Sequence, residues 1–114
     1  MTDEPAGEIL HIATPSEWAA AMRTGQVAPP SLATEGFVHC STRTQLAGTL
    51  GRHFAGAGPL VLLVLDEAAI APDLRWEEGL PGERFPHVYA PIPVTAVLAV
   101  EEIRSVRPHG QYGG

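Results

Sequence analysis

Three of the five histidines in this chain stand in short extended segments near a hydroxyl: His11 before Thr14, His39 before Ser41 and His87 before Tyr89. Imidazoles that titrate near neutral pH, set beside hydroxyl groups, are the parts of an acid–base or ribose-orienting pocket. A lone strand histidine is more often packed or hydrogen-bonded, because half-buried histidine is common. Three with similar neighbours leave a shared polar pocket and three separate structural roles both open. His53 and His109 read as a helix-end residue and a tail residue. Arg75 and Glu77 flank Trp76 and, two apart on a strand, share a face. They are either a surface ion pair worth little or an anion-binding arginine with a carboxylate that fixes a ribose hydroxyl. Arg84, close to His87, is a second arginine candidate.

Other chemistries fit the spacing less well. Zinc favours histidine ligands, but no two histidines here are four apart on a helix, and His39 and Cys40 point to opposite sides of a strand. No metal site is expected. Cys40 shares its face with Val38, which suits burial as a small hydrophobe better than nucleophilic work. Ser41 lacks a Gly-x-Ser-x-Gly elbow and reads as a helix cap or phosphate ligand.

The elements that must hold these residues follow from period and punctuation. Residues 8–13 alternate as a strand, with Ile9, His11 and Ala13 on one face. Thr14-Pro15-Ser16-Glu17 is a capping box with proline at the first helical position. The helix it opens turns Trp18, Ala21 and Met22 inward and stops at Gly25. Gln26 to Glu35 reads as an irregular loop. The run from Gly36 to Thr42 reads as one strand, with Phe37, His39 and Ser41 sharing a face. Thr42 to Gln45 repeats the capping-box spacing and opens a second helix, with Leu46, Leu50, His53 and Phe54 on one side.

Leu60 to Leu65 holds no polar residue, as expected of a strand covered on both faces. Asp66 caps a helical turn ending near Ile70. Leu74 to Glu77 is a short strand before a Gly/Pro-rich turn at Gly79 to Gly82. Phe85 to Ala90 is extended, and Pro86, Pro91 and Pro93 confine it to an edge or a loop. A last strand spans Ala96 to Val100. The order predicts an α+β domain over residues 8–103, with a flexible lead at 1–7 and a disordered tail at 104–114.

A formal charge of −6 argues against a broad nucleic-acid surface, which needs clustered Lys and Arg. It leaves room for a pocket that holds one phosphate. One cysteine excludes an internal disulfide framework. The acidic start lacks the pattern of a signal peptide, and the longest apolar run is far too short to cross a bilayer. A soluble cytoplasmic protein with no membrane partner is the expectation.

Taken together, His-Ile-Ala-Thr at 11–14, Gly-Phe-Val-His-Cys-Ser-Thr at 36–42, Val-Leu-Leu-Val-Leu-Asp at 61–66, Arg-Trp-Glu at 75–77 and Phe-Pro-His-Val-Tyr-Ala-Pro-Ile-Pro at 85–93 resemble the bacterial domain-of-unknown-function family 952. That family is similar in fold to the ADP-ribosyltransferases, and most of all to the catalytic half of the RNA 2′-phosphotransferases. The resemblance implies an ADP-ribosyltransferase-like arrangement: two short, mostly antiparallel sheets around a cleft, with two main helices in the N-terminal half. It implies that His11, Thr14, His39, Ser41, Asp66, Arg75 and Glu77 occupy the matching positions, with NAD as a substrate and Arg75 clamping a phosphate. His11, His39 and Glu77 would then be the catalytic set, with Thr14, Ser41 and Arg75 binding ligand; the shared histidine–hydroxyl pattern, not the resemblance, adds His87 and Tyr89 to the ligand-binding set. The sequence departs from those relatives at Ile12-Ala13, which stands where they carry a glycine, and the Phe-Pro-His-Val-Tyr run has no counterpart in them. Binding or processing of a nucleotide or phosphorylated ribose is the first expectation. A non-catalytic metabolite-binding or protein-interaction domain with structural histidines is the alternative.

Overall fold

β1 (Ile9–Ala13) leads into α1 (Pro15–Thr24) through the expected capping box. Thr14 Oγ1 accepts from the Glu17 N–H at 3.1 Å, and Glu17 Oε1 accepts from the Thr14 N–H at 2.9 Å. Gly25 closes the helix with φ +87°, and its N–H donates to the Ala21 carbonyl. Of the expected inward stripe, Ala21 is buried and Trp18 packs on the core, whereas Met22 is exposed. Met22 instead joins Leu98 and Val100 in a surface patch. This computed structural model describes residues 8–113, so the lead expected at 1–7 lies outside them.

The stretch read as a loop holds β2 (Gln26–Val27) and α2 (Pro30–Thr34). Proline at the first turn suits a helix start, which the loop reading undervalued. The Gly36–Thr42 run is two strands, β3 (Val38–His39) and β4 (Ser41–Thr42), which belong to different sheets. Thr42 and Gln45 do exchange capping-box hydrogen bonds, at 3.1 and 3.2 Å. They close a turn, and α3 (Leu46–His53) begins after it.

Next come β5 (Leu60–Leu65), α4 (Glu67–Ile70) and the hairpin of β6 (Leu74–Leu80) and β7 (Glu83–Val88). Asp66 caps α4 by accepting from the Ala68 N–H. The chain ends with β8 (Ile92–Pro93), β9 (Val97–Ile103), β10 (Ser105–Val106) and β11 (Tyr112–Gly113). Where the sequence suggests a disordered tail, β10 and β11 pair as a hairpin. Gly110 in its turn has φ +85° and lies so close to α3 that a Cβ there would fall 1.9 Å from the Ala47 carbonyl oxygen.

Every strand pairing among the described residues is antiparallel. The main sheet has the order β4-β1-β5-β9, and a second sheet has the order β3-β7-β6. The architecture is α+β. β5 is covered on both faces, as its composition predicts. Leu63 and Leu65 enter one core cluster with Ile9, Val38 and Val88, while Leu62 and Val64 enter another with Leu10, Leu46 and Leu50.

β7 is the middle strand of its sheet, not the edge that its proline suggests. The Pro86 carbonyl accepts from the Cys40 N–H, so Pro86 turns its backbone polar groups toward the β3 side. β3 has already ended there, at His39, and the missing proline N–H leaves no ladder bond unmade. No helix among the described residues is long and apolar enough to cross a membrane.

Candidate functional site

The two sheets meet where the chain leaves β3 for β4, and a cavity of about 730 Å³ opens at that junction. Its size is within the range of small-molecule sites. β1 contributes His11, β3 contributes His39, β7 contributes His87 and Phe85, and α3 contributes Thr49, Arg52 and His53. His39 and His87 are directly opposed in the β3/β7 ladder, so their side chains leave the same face of the sheet. Their ring centroids lie 5.5 Å apart, edge to face. Phe37 stacks on His87 at 4.0 Å and meets His39 edge-on at 4.7 Å.

His11 ties the sheets together. Its Nδ1 lies 2.7 Å from the His39 carbonyl oxygen, which can only accept, so the proton sits on Nδ1 and the neutral ring keeps an unprotonated Nε2. Burial pulls its pKa below the usual histidine value; the hydrogen bond to His39 and the charge of Glu17 oppose that in part. His11 is therefore a neutral imidazole at pH 7.

His87 is buried and held in a different way. Its Nδ1 lies 2.8 Å from Glu77 Oε1, and the Tyr89 hydroxyl donates to the same oxygen at 2.6 Å. The hydrogen bonds from Tyr89 and His87 hold the Glu77 carboxyl below the usual carboxylate range, and the bond to Glu77 holds the Tyr89 hydroxyl above its own. In the neutral ring, a carboxylate on Nδ1 fixes the tautomer that has Nε2 as the acceptor. Arg75 lies over the Tyr89 ring at 4.6 Å, which completes a row from Arg75 through Tyr89 and Glu77 to His87. His39 places Nε2 3.1 Å from Glu35 Oε1 at the half-exposed rim.

Of the residues singled out from sequence, His11, Thr14, His39, Ser41 and His87 line the cavity. Glu77, Tyr89 and Arg75 do not; they stand behind His87, and the arginine on the wall is Arg52. Arg52 lies 5.7 Å from the Phe85 ring centroid, and no described carboxylate pairs with it. Arg84 is exposed, and its carbonyl accepts from the Gln45 side chain. Ser41 caps no helix. It is buried, with its hydroxyl 2.9 Å from that of Thr49. Cys40 is buried as well, and desolvation pushes its thiol far up.

Sequence reasoning passes over Arg52 and Glu35, reads His53 only as a helix-end residue and places Phe37 on the face of His39 without giving it a role. The spacing of Leu46 and Leu50 marks the buried side of α3, but nothing in it shows that the helix end overhangs the histidines. Among the described residues no group of three or more His, Cys, Asp or Glu side chains is placed to hold a metal ion.

A comparison with protein families matches residues 12–100 to the family described as "Protein of unknown function (DUF952)". The chain belongs to that family. The matched span includes every cavity residue named above except His11. Among solved structures, the DUF952 chain is similar to protein CC0527 of Caulobacter crescentus. Against its X-ray structure the TM-score is 0.83 at 31% identity, with 93% of each chain covered. Against its solution NMR structure the TM-score is 0.75 at 33% identity, with 85% of this chain and 84% of that one covered. No curated protein matches the DUF952 chain.

Proposed function

We propose that the cavity binds a nucleotide or phosphorylated ribose, an NAD-like molecule being the model ligand. The observation that carries this reading is the meeting of His11, His39 and His87 with the guanidinium of Arg52, which pairs with no carboxylate among the described residues, on one concave wall. A guanidinium without a carboxylate partner is suited to a phosphate, which it can grip with two parallel hydrogen bonds. Arg52 takes the phosphate role first assigned to Arg75. The unprotonated nitrogens of His11 and His87 accept hydrogen bonds from ribose hydroxyls, and Phe37 supplies an aromatic face beside them.

The likeness of the segments around His11 and His39 to those of ADP-ribosyltransferases and RNA 2′-phosphotransferases points to the same ligand class and to that fold. Under this reading the protein is a transferase-like enzyme or a binding domain descended from one. The hydrogen-bonded state of all three imidazoles favours the binding-only version, since each has a protein partner without a ligand.

Titration calorimetry with NAD, ADP-ribose and nucleoside monophosphates tests the proposal. Heat is expected with at least one of them and is expected to fall sharply in Arg52→Met. Absence of heat with all of them at millimolar concentration leaves only the interaction-domain alternative.

A further inference from the structure

We propose that His39 and His87 form an acid–base pair that opens a ribonucleoside 2′,3′-cyclic phosphate, with Arg52 holding the phosphoryl oxygens. The inference rests on the phosphorylated-ribose reading above and adds a reaction to it.

The two rings belong to opposed residues of one ladder and lie 5.5 Å apart on the cavity wall, with Phe37 stacked on His87 and edge-on to His39. Each ring also has a carboxylate of its own, Glu77 behind His87 at Nδ1 and Glu35 on the cavity rim at His39 Nε2. Those contacts leave His87 Nε2 and His39 Nδ1 for a ligand. His87 is buried and its free nitrogen carries a lone pair, which suits a base. His39 is half exposed and forms an ion pair with Glu35 when protonated, which suits an acid. Both carboxylates act as positioning residues, and Tyr89 fixes Glu77 in turn.

The chemistry balances without a further reactant. Water attacks phosphorus, and His87 Nε2 takes its proton as the new P–O bond forms. The bond from phosphorus to one ribose oxygen breaks, and the His39 imidazolium gives its Nδ1 proton to that oxygen. The product is a ribonucleoside monophosphate, and the pair regains its starting protonation through solvent. Negative charge that builds on the phosphoryl oxygens meets the guanidinium.

Two observations favour a small nucleotide over a polynucleotide. Arg52 is the only Arg or Lys on the cavity wall among the described residues, so a single phosphoryl group meets a guanidinium there. A chain of net charge −6 repels a polyanion.

The test is phosphorus NMR of 2′,3′-cyclic AMP with the intact protein across pH 5–9, run beside calorimetry with ADP-ribose. Conversion to the monophosphate with a bell-shaped profile of kcat/KM is expected. His39→Gln and His87→Gln should each lose about 100-fold or more. Glu77→Gln should displace the limb of the profile that reports the base, a change that loss of packing alone does not produce. The charged and titratable groups around the pair are Glu77 and Tyr89 behind His87, and His11, Glu17, Glu35, Arg52, His53 and Glu78 on the cavity wall, and each variant's profile is read against them. His39→Gln removes a half-exposed ring, so this variant separates catalysis from folding. Absence of turnover where ADP-ribose still binds overturns the acid–base pair and leaves the binding reading standing. Absence of turnover together with absence of heat from NAD, ADP-ribose and nucleoside monophosphates overturns both. Turnover that is unchanged in the two Gln variants also overturns the pair.

Discussion

His11 makes the fold acid-sensitive in a way that one substitution should remove. The ring is buried, and its Nδ1–H donates to the His39 carbonyl at 2.7 Å. Desolvation lowers its pKa from the ordinary value of 6.5. The unfolded chain therefore binds a proton near pH 6.5 that the folded chain refuses until lower pH. Protons favour the state that binds more of them, so stability is full above about pH 6.5 and falls as the pH drops below it. While His11 titrates only in the unfolded chain, the slope is about 1.4 kcal/mol per pH unit. For a domain of this size about 1 kcal/mol corresponds to roughly 4 °C in Tm.

The perturbation is His11→Gln, whose amide can still donate to the same carbonyl but does not titrate. Urea unfolding at pH 7.5, 6.5 and 5.5 measures the slope of wild type and variant. The variant should lose stability less steeply over the acid interval, by up to the slope given above. Equal slopes in the two proteins refute the assignment of a neutral, buried His11.

Thr14→Ala removes the side-chain arm of the capping box at α1 and leaves the backbone N–H donating to Glu17; it should cost about 1 kcal/mol in chemical denaturation, with Thr14→Ser recovering most of it. Gly110→Ala forces a side chain onto the Ala47 carbonyl at a backbone φ of +85°. It should release the β10/β11 hairpin from α3, seen as faster amide exchange at Val106 and Tyr112 with the β5 amides unchanged. The Cys40 thiol should react with a disulfide reagent only as fast as the protein unfolds, because burial keeps it protonated; rapid labelling of the native protein would contradict its placement. Arg43 grips Glu101 with two nitrogens and Glu8 with a third, at a half-exposed site. Arg43→Ala should cost about 1 kcal/mol or less, and less still in high salt.

Local chemistry made much of this fold readable. The Thr14-Pro15-Ser16-Glu17 box, the Gly25 stop, the apolar run of β5 and the Asp66 cap depend on residues adjacent in sequence, and each stands where the spacing puts it. The misreadings share another cause. Pro86 sits in a middle strand because β3 has ended beside it, and Met22 is exposed because its neighbour is the open edge of β9. Neither fact is a property of the surrounding five residues. The same limit applies to the cavity. The common setting of the three histidines made a shared pocket one of two open readings, and the choice of Arg52 over Arg75 depends on where the end of α3 lies relative to the second sheet.

That placement follows from the break at Cys40. The run from Phe37 to Thr42 keeps one alternation throughout, with Val38 and Cys40 buried in the core and Phe37, His39 and Ser41 turned to the cavity. Yet it pairs with β7 before Cys40 and with β1 after it. One extended segment thus hands the chain from one sheet to the other without reversing its faces. The residues flanking the exchange must then look into the space between the sheets. The His39 carbonyl, freed from a continuous ladder at this step, is the group that His11 satisfies. Burying a polar group without a partner costs about 1–3 kcal/mol, so the same hydrogen bond that orients His11 also stabilises the junction. Substituting His11 by a residue with no donor, such as Leu, should therefore destabilise the protein by about that amount even at pH 8, where no histidine titration contributes. His11→Gln should not.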